Sequence, residues 1–131
     1  RSWFSHSALL EILRKISRFG ATVVITTDHG AVLGQKASLV HGNRETSTNL
    51  RYKFGENIHG DPKQTLLVKN PSDFRLPCES PSKNYILARE NYYFVYPTRF
   101  HEYEKQYQDT FQHGGISLEE MVVPCMTLTP R

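Results

Sequence analysis

Asp28-His29-Gly30 is the first place in this sequence where residue types and spacing could do chemistry. A carboxylate oxygen beside an imidazole nitrogen suits zinc or a similar divalent ion. On a regular strand, neighbouring side chains point to opposite faces. Both could serve one ion only where the backbone has left the strand, and Gly30 permits such a turn. The same triplet also describes an ordinary turn with a surface histidine. His113-Gly114-Gly115 is the second place. Two glycines let the backbone approach a ligand closely and let the imidazole reach an ion from a loop. It also reads as a flexible connector. His6, His41, His59 and His101 show no ligand spacing and read as surface residues.

Arg44, Arg51 and Lys53, with Tyr52 between two of the cations, fall in a long polar stretch. Arginine forks onto phosphate oxygens, and tyrosine offers a ring or a hydroxyl. Substrate phosphate recognition and a solvated, solubilising loop both fit these four residues. Tyr85, Tyr92, Tyr93, Phe94 and Tyr96 could stack on bases, but strands favour aromatics for packing alone. Ser117 to Glu120 has capping-box spacing, which gives Glu120 a structural role.

The elements around these residues follow from periodicity. Leu9, Ile12, Leu13 and Ile16 predict a helix over 8–19, with Ser7 as N-cap and Gly20 as its stop. The β-branched run Thr22 to Thr26 predicts a strand buried on both faces. Helix followed by buried strand points to an α/β fold with a mostly parallel sheet flanked by helices. The Asp28 turn would then lie at a strand's carboxyl end, where such sheets bind ligands. Residues 31–60 read as a long polar loop, of a length that is more often functional than decorative. Further strands are expected at 65–68, at 85–89 and 92–96 around a tight turn, and at 121–128, the last on an edge because of Pro124. A helix is expected over 98–109. There is no repeat and no visible boundary between two domains.

The 131 residues suffice for one small domain, with 38% hydrophobic residues and a net charge of +3, and a mean hydropathy of −0.51. That balance excludes disordered and membrane-spanning classes and is too mild to diagnose nucleic-acid binding. Two cysteines without CxxC spacing, Cys78 and Cys125, argue against a disulfide framework and for a cytoplasmic setting.

Three stretches together carry a resemblance. They are Ile25-Thr26-Thr27-Asp28-His29-Gly30, then Thr46-Ser47-Thr48-Asn49-Leu50-Arg51-Tyr52-Lys53, then Phe111-Gln112-His113-Gly114-Gly115 through Pro124. They resemble the PglZ domain of the alkaline phosphatase superfamily. Within it the chain looks most like the PorX-type response regulators of Bacteroidetes, which carry a receiver domain ahead of PglZ and are linked to type IX secretion.

The resemblance implies that residues 1–131 are the C-terminal part of an alkaline-phosphatase-like domain. Its upstream part and any receiver domain would precede Arg1. It implies a metal-dependent phosphodiesterase or phosphatase acting on a nucleotide or oligonucleotide phosphate. Two zinc ions are expected, with manganese as a substitute. Asp28 and His29 would hold the ion that activates the nucleophile, and His113 the ion on the leaving-group oxygen.

The nucleophile and the remaining ligands would lie upstream of Arg1. Before Asp28 this chain offers only Glu11 and His6 as carboxylate and imidazole. The piece alone is therefore expected to be inactive and to bind metal poorly. A transcription factor or sigma factor, and a second copy in a homodimer, are further partners the resemblance suggests. No membrane partner is expected. The alternative is a non-catalytic regulatory module that binds a nucleotide or a transcription partner.

Overall fold

The computed structural model describes residues 1–43 and 48–130. The chain runs through helices α1 (Ser2–Ser5) and α2 (Ala8–Ile16), a 3-10 turn at Ser17–Phe19, and strand β1 (Val23–Thr26). Strands β2 (Val32–Gly34), β3 (Lys36–His41), β4 (Tyr52–Glu56), β5 (His59–Gly60) and β6 (Thr65–Val68) follow. After a second 3-10 turn at Pro71–Phe74 come β7 (Lys83–Ala88) and β8 (Tyr92–Val95). Helix α3 (Phe100–Tyr107), β9 (Thr110–Gln112), α4 (Leu118–Met121) and β10 (Cys125–Leu128) complete the order. Among the described residues, no helix is long and apolar enough to cross a membrane.

Two compact units emerge, one from Arg1–Asp28 with the stretch that begins at Pro124, the other from His29–Val123. In the first, α2 follows its predicted apolar spacing, and Gly20 stops the helical stretch in the left-handed region at φ 65°. Ser7 stands at the N-cap position, but its hydroxyl donates back to the Phe4 carbonyl and accepts no capping bond from an α2 amide. Among the described residues β1 pairs with β10 alone, antiparallel, with Val23 opposite Leu128. β1 alternates half-buried and exposed residues, so the expectation of a strand covered on both faces does not hold. A β-branched run favours extended backbone whether or not a second layer covers it.

The second unit holds the core. Val40, Ile58, Ile86, Ala88 and Phe94 form one buried cluster, with Tyr92 packed against it. Its sheets are β2-β9, β5-β3-β8 and β4-β7-β6. Among the described residues only β3 and β8 run parallel; β2-β9, β3-β5, β4-β7 and β6-β7 are all antiparallel. The mostly parallel sheet expected from the sequence is thus corrected to a mixed α/β arrangement of mainly antiparallel strands. A parallel neighbour needs a crossover connection, and a helix ahead of a strand does not by itself supply one.

The polar stretch over 31–60 is a second correction, since four strands run through it. The period-2 signal was hidden because inward positions carry unusual residues. β3 buries Ser38 and leaves Leu39 exposed, while β4 turns Lys53 and Gly55 inward. β7 and β8 form where expected but enter different sheets across the turn at Glu90.

Candidate metal centre

β2 and β9 are an antiparallel pair, with Val32 opposite Gln112. Residues just before β2 must therefore lie beside residues just after β9. That register brings His29 and His113 together, with ring centroids 3.8 Å apart and planes 11° from parallel. The Nδ1 of His29 lies 2.8 Å from the carbonyl oxygen of Gly30. A carbonyl can only accept, so Nδ1 carries the proton and Nε2 is the ring's acceptor nitrogen in neutral imidazole. Metal-binding histidines are commonly oriented by such a bond.

The glycines of both motifs are required by close approach. The amide of Gly30 donates to the Glu120 carbonyl at 2.9 Å, and a Cβ there would collide with the Glu119 carbonyl oxygen. Gly114 has φ 102°, and a Cβ on it would lie 2.8 Å from Cδ1 of Tyr52. A Cβ on Gly115 would lie 2.6 Å from Nη2 of Arg51. Alanine at any of the three has no room.

Glu120 ties these pieces together. Its carboxylate accepts from Arg51 Nε at 2.8 Å and Nη2 at 2.6 Å. It also accepts from the Gly115 amide at 2.8 Å, the Ser117 amide at 3.1 Å and the Ser117 hydroxyl at 2.7 Å. The capping box read from sequence is present. Burial raises the Glu120 pKa, but hydrogen bonds from Arg51, Ser117 and Gly115 outweigh it and hold the carboxyl below its ordinary value. Arg51 is 0% exposed and also donates to the carbonyls of Tyr92, Ala88 and Glu90. Its guanidinium is thus engaged inside the fold, and it supports the loop that carries His113. Sequence reasoning missed this pairing because Arg51 and Glu120 are far apart in the chain.

Of the other expected site residues, Tyr52 and Lys53 stand on β4. Asp28 ends the first compact unit, where the Thr27 hydroxyl donates to its Oδ1 at 3.4 Å; His29 begins the second. Tyr52 is half-buried, with its ring against Gly114. Lys53 is 1% exposed, with its ammonium 4.5 Å from the centre of the Tyr96 ring. Burial lowers its pKa from 10.5 to about 8. It borders a cavity of about 200 Å³ with Thr48, Tyr103 and Tyr107. Arg44 lies outside the described residues.

The imidazoles fit a divalent ion in chemistry and, for His29, in orientation. Two imidazoles do not complete a site. Among the described residues, no group of three or more histidine, cysteine, aspartate or glutamate side chains is placed to hold a metal. What decides the family is a match along nearly the whole chain. A family model described as the BREX system PglZ alkaline phosphatase-like domain matches residues 5–128. The chain belongs to the PglZ family. Curated proteins yield no match. PglZ membership makes the fold alkaline-phosphatase-like and suggests hydrolysis of phosphoric esters. Both histidines of the ring pair lie inside the matched PglZ region.

Proposed function

We propose that this chain is the C-terminal part of a PglZ domain and contributes half of a two-metal centre. That centre would hydrolyse a nucleotide or oligonucleotide phosphate. The His29–His113 ring pair carries the reading. Imidazole lone pairs lie in the ring plane, so parallel rings 3.8 Å apart do not converge on one ion, which favours one histidine for each of two ions. The PglZ resemblance, rather than the ring geometry, supports assigning His29 with Asp28 to the ion at the nucleophile and His113 to the ion at the leaving-group oxygen. Zinc, or manganese in its place, supplies charge stabilisation and a lowered hydroxyl pKa when bound.

The chain's own residues orient these groups. Gly30 fixes the His29 turn against α4, and Arg51 with Glu120 fixes the loop after His113. Tyr52, backing Gly114, is assigned to the substrate phosphate; Lys53 and Arg44 are assigned to the same phosphate from their own segments. Arg51 acts as a positioning residue. The nucleophile and remaining ligands belong to sequence ahead of Arg1. The intact protein is read as a PorX-type response regulator linked to type IX secretion.

Metal analysis of the intact protein tests this. A near-stoichiometric divalent ion that falls in both His29→Ala and His113→Ala supports the assignment. A metal-free protein that still binds nucleotide, or a transcription or sigma factor, would mark a non-catalytic regulatory module instead.

A further inference from the structure

A second histidine pair lies in a different sheet. His41 ends β3, His59 opens β5, and the two are directly opposite in the antiparallel register. Directly opposed residues on such a ladder have Cβ atoms about 4.5–5.5 Å apart, close enough for both rings to reach one ion. The ring centroids are 5.0 Å apart. Asn57 turns the chain through the left-handed region at φ 52°, and its carbonyl lies 3.0 Å from Nδ1 of His59. Because that carbonyl can only accept, Nδ1 donates, and Nε2 of neutral His59 presents its lone pair. Gly60 seats β5 closely, since a Cβ there would lie 3.1 Å from Cδ1 of Ile86 and 3.2 Å from the Leu39 carbonyl.

We propose that His41 and His59 form a two-imidazole site for a late first-row divalent cation, separate from the His29–His113 pair. Imidazole suits zinc, copper and nickel. The planes are 11° from parallel, so one ring must turn before both lone pairs converge. His59 is held by its Nδ1 bond, and the exposed His41 ring is the one to turn, about a broad and soft χ2 torsion. Both rings border a cavity of about 400 Å³ that Asp61 and Gln64 also line, which leaves space for water or a small ligand on the ion. Bridging β3 to the two-residue β5 would stabilise that sheet edge by mass action.

The test is Ni2+ titration by calorimetry of the full chain in a His29→Ala, His113→Ala background, which keeps the cross-strand pair and removes the other. One site is expected, weakened about tenfold or more in either His41→Ala or His59→Ala, because the second ligand binds intramolecularly. His101→Ala should leave it unchanged. A Ni2+-dependent rise in Tm should vanish in the same two variants. Isotherms and melting curves that His41→Ala and His59→Ala leave unaltered would overturn the proposal. These outcomes do not depend on whether the His29–His113 pair serves a hydrolase.

Discussion

Replacing Glu120 by alanine removes the acceptor for five hydrogen bonds at once, two from Arg51, two from Ser117 and one from Gly115. Side chains of Arg51 and Glu120 are 0% and 2% exposed, so water cannot replace the lost carboxylate. Removing one partner of a buried ion pair costs about 3–5 kcal/mol, chiefly because the other charge is stranded. Against a typical domain stability of about 5–15 kcal/mol this is a large fraction. For a chain of this size it corresponds to a fall in Tm of about 10–20 °C. Urea and thermal denaturation followed by circular dichroism would measure it.

The double variant Arg51→Met, Glu120→Leu supplies the control. It strands no charge, so it should be much less destabilised than the two single changes added together. A Glu120→Ala loss below about 1 kcal/mol, well short of what a stranded buried charge costs, or strict additivity in the cycle, would refute the argument. The pH dependence follows in sign. The folded pKa of Glu120 is held below its ordinary 4.5. Its contribution is therefore full above that ordinary value and is lost as pH falls through the depressed one. Glu120→Gln should flatten the acid limb of the stability curve.

Other consequences are as direct. Gly30→Ala must push the chain off the Glu119 carbonyl; it should lower Tm and abolish the His29–His113 ring contact, visible as altered imidazole shifts in NMR. Lys53 carries a pKa lowered from 10.5 to about 8, so the folded state disfavours its cation. That penalty is complete below pH 8 and is relieved as pH rises towards 10.5, giving stability that climbs across this window. Lys53→Met should remove the climb in denaturation curves taken from pH 7 to 10.5.

What the sequence displayed was local pattern. The α2 spacing, the Gly20 stop, the strands at β6 to β8, the capping box at Ser117 and the edge position of β10 all rest on neighbouring residues. Strand partners did not show in this way. β1 finds β10 almost a full chain length away, and nothing local to Val23–Thr26 signals direction or coverage. β4 escaped notice because its inward positions are Lys53 and Gly55, so a buried strand looked like a polar loop. The site divides similarly. His29 and His113 were singled out by adjacent glycines, and their meeting required the β2-β9 register. Arg51 reads from sequence as a phosphate contact or a solvated cation, because its partner Glu120 is remote in the chain and already has a role as a cap.

The most direct test of the central claim is hydrolysis of a nitrophenyl phosphodiester by the intact protein supplemented with zinc or manganese. Loss of a metal ligand should reduce the rate at least about a hundredfold, given the charge stabilisation an ion contributes, in His29→Ala and His113→Ala alike. The His101→Ala control should retain activity. Undiminished hydrolysis in both histidine variants would contradict the two-metal assignment.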